Sequence, residues 1–568
     1  MVQKIIKENI FLILSVALTI LAILPLFHSG LFPMHDNEQV GRLFDLDQAL
    51  RAGQFPVRII QDFGFGYGYL LFNFYPPFVY YFGEVFRLLH FSYIDSIKIV
   101  MGAGFILSAI FMYLFAKELF GKVGGLVASV FYTYAPYHSV DIYVRGALPE
   151  FFSFVFIPAI FWSYLKLSQE NSKKYVVIAA MFNFLLVITH NLVALMGSVF
   201  IGGYIIFLLY SQKSKKKFAL NVSLTIVFSL LLSSFFIIPA LLENKYTMVS
   251  LLTTQLANYN IHFVCLSQLW NSPWGYGGSA AGCVDGLSFK IGKLHVILSA
   301  LAFVLATIFI YKKKLKPVIF LFSAMLLLSV FMQLSYSKFI WDHISPLAYI
   351  QFPWRYLLFT AFFSSLLVGS IPSFIKDRRI ISVIAVILIS YLLFQSRLIF
   401  VPQTYLNNQD SDYTNLSTIR WTTSQMSFEY TPIGIAIKNS RVGNSVVAIN
   451  QSQIAKTVFS APQGDLSGQV LKNIPQEKII KVNVQKPSIL TLNEYAYPGW
   501  EVLVDNKQVN FTDNNKLKLI NINLNTGEHV IDAKFEDTNL RKVSNILSLV
   551  GVFSILSYLL FYKKNEKT

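Results

Sequence analysis

The sequence predicts a polytopic α-helical membrane protein of about twelve spanning helices, with a β-rich domain towards its C-terminal end. Three observations carry this. Of 568 residues, 54% are hydrophobic and only 14% charged, where soluble domains carry about 25% charged residues. Apolar residues gather into runs near the length that crosses a bilayer, at 8–28, 94–116, 123–141, 150–167, 174–189, 192–210, 217–240, 292–311, 317–334, 353–372, 379–397 and 542–562. From about 398 to 541 the pattern changes to alternating runs, Ile480–Val484, Trp500–Val504 and Leu517–Leu524, with turns at Asp505-Asn506 and Asn525–Glu528. Period-two alternation between such turns predicts antiparallel strands in a sheet or sandwich.

The first apolar run, Ile10–Leu26, lacks a small-residue cleavage site and reads as a retained helix. The loop at 29–93 follows, with His35, Asp36, Glu38, Arg42, Asp45, Asp47, Arg51 and Arg58, then the glycine-aromatic run Gly64–Gly68. A stretch this charged is expected in water, with Asp45 and Asp47 as solvated acids on a helix surface. The short apolar stretch 75–89, opened by Pro76-Pro77, is expected as an interfacial or re-entrant helix.

Twelve spans place Lys4 and Lys7, Lys117 and Lys122, Lys173 and Lys174, Lys213 and Lys215–Lys217, Lys312–Lys314, Arg378 and Arg379, and Lys563 and Lys564 on one side. The excess of lysine and arginine on cytoplasmic loops assigns that side, and both termini, to the cytoplasm of a plasma-membrane protein. The division expected is a membrane domain at 1–397, an extracytoplasmic β-sandwich-like domain at 398–541, and a last helix with a basic tail at 542–568. These short basic runs account for the net charge of +17. No basic domain is left over to bind nucleic acid.

Four constellations fall on the outer face. His35-Asp36 with Glu38 comes first: an aspartate at the mouth of a membrane cavity can take a proton from a hydroxyl nucleophile or hold a divalent cation. Arg145 and Glu150 lie in the turn before the fourth span, where a planar guanidinium suits a lipid phosphate or pairs with Asp141. His190-Asn191 breaks two short spans, either as a polar pair facing the cavity or as an Asn191 helix cap. Arg355 follows Trp354 in Gln351–Tyr356, as a second phosphate clamp or as a snorkelling member of an aromatic belt. For Cys265 and Cys283, both in the loop after the seventh span, a disulfide and free thiols are both open. With a single nearby His262 they do not form a zinc set. The glycine run neither follows a strand nor opens a helix, so it is no nucleotide loop. The absence of a Walker A sequence argues against ATP as a driver. The lack of a chain of acids through the spans argues against proton-coupled transport.

Asp36 after the first span, the many further spans and the β-rich domain resemble C-type (GT-C fold) glycosyltransferases. Phe72–Pro77, Arg145–Glu150, Thr189–Asn191, Gln351–Tyr356 and Tyr497–Asp505 resemble bacterial membrane proteins called 6-pyruvoyl-tetrahydropterin-synthase-related or YfhO-like. No zinc-binding histidine cluster suits the pterin reaction of that name. The resemblance implies transfer of a sugar from a polyprenyl-phosphate carrier to a cell-surface polysaccharide or glycolipid at the outer leaflet. Asp36 would be the base, with Glu38 and Glu150 orienting groups around it. Arg145, His190 and Arg355 would hold the lipid phosphate, and His35, Asn191, Trp354 and Trp500 would contact sugar or acceptor. His35-Asp36 stands where those enzymes carry paired acids, so no metal ligand is assigned, although a divalent metal remains compatible. The rival readings are a flippase for lipid-linked sugars and a non-catalytic scaffold of envelope assembly.

Overall fold

The computed structural model describes residues 2–249, 258–309, 315–435, 451, 454, 456–461 and 464–560, with side chains from residue 8 onward. Among the described residues, eight helical segments are long and apolar enough to cross a membrane, and two further apolar helices, Lys293–Ile308 and Leu315–Phe331, are shorter. The expected twelve spans are therefore met by eight on length. The helix Lys173–Thr189 has 17 residues. The runs at 94–116 and 123–141 fall largely in one 41-residue helical segment, Tyr93–Thr133, interrupted at Gly121 (φ 80°, ψ 177°). Glycine accepts this positive φ without a Cβ clash, which is how the two runs join so closely.

The acidic loop departs furthest from expectation. It is packed into the protein rather than solvated. Its helix Gln39–Arg51 buries Gln39, Arg42, Asp45 and Asp47, and the two aspartates are each only 1% exposed. Asp45 Oδ2 accepts the backbone N–H groups of Asp62 (3.1 Å) and Phe63 (3.3 Å). Asp47 pairs with Arg51 at 2.5 Å and accepts the Tyr93 hydroxyl at 2.5 Å. Both Asp47 oxygens have partners, which makes its burial tolerable, whereas Asp45 Oδ1 is buried with none among the described residues. The helix Phe78–Leu88, within the expected interfacial stretch, leaves Val85 and Leu88 exposed.

The strands are β1 (Phe459–Ser460), β2 (Leu466–Ile474), β3 (Glu477–Val484), β4 (Ser488–Tyr495), β5 (Trp500–Val504), β6 (Lys507–Val509), β7 (Leu519–Leu524) and β8 (Gly527–Phe535). They form a five-stranded sheet, β2-β3-β8-β5-β6, and a three-stranded sheet, β1-β4-β7, with every pair antiparallel. One core serves both sheets: Ile480 and Val482 of β3, Leu490 and Leu492 of β4, Ile520 and Ile522 of β7, and Ile531 of β8. Among the described residues the strands begin at Phe459. Before them, the expected sandwich segment at 398–435 is non-β and lies on the first loop. Asp410 accepts the N–H groups of Tyr93 and Ile94, and Arg420 pairs with Asp62 at 2.7 Å.

The glycine-aromatic run joins the two parts. Phe65, Tyr67 and Leu70 enter the core of the strand domain, and the Tyr495 N–H donates to the Tyr67 carbonyl at 2.8 Å. Gly68 has φ +74°, and a Cβ there would stand 2.3 Å from Glu494 Oε2.

Candidate active site

The site is built on the turn that joins the segment Tyr93–Thr133 to the helix Leu148–Glu170. Pro136–Ser139 makes one helical turn, Val140–Val144 continues as a wide π-type turn, and Arg145 follows. Gly146 closes the turn at φ +65°, with the place of a Cβ lying 2.7 Å from both Cβ and the sulfur of Met34. The first loop docks against this exposed backbone. The His35 N–H donates to the Val144 carbonyl (3.1 Å), the Asp36 N–H to the Arg145 carbonyl (2.8 Å), and the Gln39 amide to the Gly146 carbonyl (2.8 Å). Residues 109 positions apart in sequence, Asp36 and Arg145, are thereby fixed side by side.

Glu150 is the hub. Its Oε2 lies 2.9 Å from Arg145 Nη1 and 3.0 Å from Arg355 Nε, and the Tyr137 hydroxyl donates to its Oε1 at 2.5 Å. Arg145 also pairs with Asp141, and its guanidinium stacks over Trp354, 4.7 Å from the ring centre. Arg355 donates from Nη1 to the Ile350 carbonyl at 2.7 Å, and its guanidinium lies 5.1 Å from the Phe352 ring centre. Phe352 and Trp354 stack at 4.9 Å. Both arginines thus rest on aromatic faces and meet one carboxylate. Burial, then the charge of Glu150, pushes the Asp141 carboxyl well above its usual range, and its Oδ2 is buried without a hydrogen-bond partner.

Asp36 is half-buried, and its carboxylate meets no hydrogen-bond donor among the described residues. Its charge is felt by Arg145, by Glu38 and by Glu429. Glu38 is 5% exposed with Oε2 unpartnered. Burial, reinforced by Asp36 and Glu429 and opposed by Arg42, pushes its carboxyl up to about 7. Arg42 lies between the acids, donating to the Tyr80 hydroxyl (3.4 Å) and the Ser427 hydroxyl (3.2 Å) with Tyr75 4.3 Å beneath it.

His190 lies within electrostatic reach of Glu150, Arg355 and Arg145. Its Nδ1 accepts the Val193 N–H at 3.1 Å, so the histidine itself caps the helix Asn191–Tyr210, and the expected Asn191 cap is corrected. Asn191 is half-buried at that helix start. The His35 Nε2–H donates to the Tyr276 carbonyl at 3.0 Å. Trp500 does not join this group. It is 5% exposed in the core of the strand domain, its ring 5.6 Å from Phe535. Cys265 and Cys283 are joined by a disulfide. Among the described residues no three His, Cys, Asp or Glu side chains are placed to hold a metal ion. Sequence reasoning missed Tyr137, Arg42 and Glu429. Arg42 and Tyr137 lay within stretches already singled out. Nothing in the sequence pointed to Glu429, which reaches the site by a tertiary contact alone.

A family model described as 6-pyruvoyl-tetrahydropterin synthase related domain, membrane protein, matches residues 72–402. An uncharacterized protein of Lactococcus lactis subsp. cremoris (strain MG1363) is 24% identical over 243 residues, covering 41% of this chain and 39% of that protein. The mycobacterial arabinofuranosyltransferase AftD has 11% identity and a TM-score of 0.47 over 70% of this chain and 28% of its own. The Archaeoglobus fulgidus oligosaccharyltransferase has 9% identity and a TM-score of 0.43 over 72% of this chain and 56% of its own. The chain therefore spans less than two thirds of each of these proteins.

Proposed function

This chain belongs to the 6-pyruvoyl-tetrahydropterin synthase-related family of membrane proteins, and from that premise we propose that it is a membrane glycosyltransferase using a polyprenyl-phosphate sugar and an extracytoplasmic hydroxyl acceptor. One observation carries the reading: an unpartnered, half-buried Asp36 is held by its backbone on Arg145, beside two arginines that share Glu150. The carrier's phosphate lies against Arg145 and Arg355, where planar guanidinium groups match its oxygens. Aromatic faces and Glu150 hold both groups ready, so little reorganisation is needed as charge builds on the leaving group.

Asp36 accepts the proton of the acceptor hydroxyl. The acceptor oxygen bonds to the anomeric carbon as the bond from that carbon to the phosphate oxygen breaks, and polyprenyl phosphate leaves with the electron pair. A single displacement of this kind inverts the anomeric centre. Glu38 is near enough to Asp36 to feel its charge, and its carboxyl, raised to about 7, supports a part for it in relaying the proton. His190 and Trp354 line the arginine side, and His35 and Asn191 the approach to sugar or acceptor. The lysine runs between spans, including Lys213 and Lys215–Lys217, support a cytoplasmic assignment for the opposite end of the bundle.

The test is transfer by the purified protein from labelled polyprenyl-phosphate sugars to cell-surface polymers and glycolipids. A labelled acceptor is the expected result. Recovery of all label on the lipid, across the set of donors and acceptors, overturns the reading.

A further inference from the structure

We propose that a cavity beside the arginine cluster, between Trp270, Lys290, Lys293 and the end of the helix Arg378–Ser396, is a second binding site that takes a phosphate ester. The proposal does not rest on the glycosyl-transfer reading. The cavity holds about 360 Å³ and is half open. Pro136, next to Tyr137 of the site, lines it, so it lies at the same end of the helix bundle. Lys290, half-buried, and Lys293, exposed, are both in its wall, and none of its lining residues is an aspartate or glutamate. Among the described residues neither lysine forms an ion pair. Each instead lies near a ring, Lys290 at 5.8 Å from Trp274 and Lys293 at 5.7 Å from Trp270.

Two like charges sharing a partly enclosed space repel each other, and an anion between them relieves that cost. Burial, then the charge of Lys293, already draws the Lys290 ammonium below its usual range. Lysine ammonium groups bind phosphate as point charges. Asn271, also in the wall, adds a neutral amide donor. The remaining wall is amphiphilic. Leu392 and Ile399 close one side, at the end of a span whose apolar window is only 22% buried within the protein. The ligand class is therefore a phosphate monoester or diester, borne by a lipid or free in solution.

The test is calorimetric titration of the purified full chain in detergent with dioctanoyl phosphatidic acid, with dioctanoylglycerol as its uncharged twin and with inorganic phosphate. The wild type should bind the phosphatidic acid about tenfold or more tightly than the Lys290→Gln/Lys293→Gln double variant does. The uncharged twin should not bind measurably. The Lys290→Arg/Lys293→Arg protein should retain binding, which separates loss of charge from misfolding. Lysine-dependent binding of phosphatidic acid alone supports the site with a lipid-borne ligand. Lysine-dependent binding of inorganic phosphate as well supports it with phosphate itself sufficient. Equal affinity in the wild type and the glutamine variant, or equal binding of the uncharged twin, overturns it. No sugar is present, so a failed transfer assay leaves this result standing.

Discussion

At the residue scale the site is held by one carboxylate. Glu150 is 1% exposed and pairs with both Arg145 and Arg355. Glu150→Gln leaves buried guanidinium groups without their counter-charge, and thermal unfolding in detergent should report a loss of about 3 kcal/mol. Asp36 differs, because only its backbone is engaged, and its side chain is free to do chemistry without supporting the fold. Glu38 gives a pH signature. Its carboxyl is raised in the folded chain, so the folded state binds the proton more tightly than the unfolded one does. Its unfavourable contribution is absent below about 4.5 and complete above about 7. Across that window Glu38 should contribute a loss of roughly 3 kcal/mol of stability as pH rises, and Glu38→Gln should remove that part of the slope. Polar side chains at the ends of apolar runs marked Asp36, Arg145, Glu150, His190 and Arg355 in the sequence, and these the fold brings together. Asp45 and Asp47 misled because charge alone does not reveal a partner: each is buried against N–H or hydroxyl donors supplied from elsewhere. Trp500 misled because a tryptophan beside glycine reads alike in a ligand site and in a sheet core.

At the scale of elements, the close fit of two backbones sets the geometry. Gly146→Ala would place a methyl group 2.7 Å from Met34 atoms at a positive φ, and must push the 34–36 segment off the Val144–Arg145 backbone. Transfer activity should fall at least about tenfold, since small misplacements of reacting groups are costly. Wild-type rates in that variant would show that the docking is not needed. Run length located most helices in the sequence, because spanning needs a minimum of apolar residues. It could not show that 94–116 and 123–141 belong to one segment broken at Gly121, since a short lysine-flanked break and a true loop look the same. Alternation placed the strands, which among the described residues begin at Phe459. The reading of 398–435 as part of the sandwich was wrong, because the change of composition there does not show that its polar residues pair with the first loop, as Arg420 does with Asp62.

For the molecule as a whole, a buried network locks the strand domain and the last helix to the membrane helices. Glu243, after the helix Lys215–Leu242, accepts from Asn73 (2.9 Å), Thr538 (2.9 Å) and Arg541 Nε (2.8 Å), and Arg541 is fully buried. This linkage was not legible, because its partners lie up to 468 positions apart in sequence. The proposed orientation makes a simple prediction. In intact cells a membrane-impermeant maleimide should label Lys507→Cys, on an exposed strand, and not Ser214→Cys, between two spans. The reverse pattern would invert the topology. The native cysteines are already joined and should stay silent. The central claim is that Asp36 activates the acceptor, and the most direct test compares wild type with Asp36→Asn for transfer from a polyprenyl-phosphate sugar, together with donor binding and melting temperature. The account predicts transfer reduced by about a hundredfold or more, with donor binding and melting temperature unchanged. Transfer by the asparagine variant at the wild-type rate would contradict it.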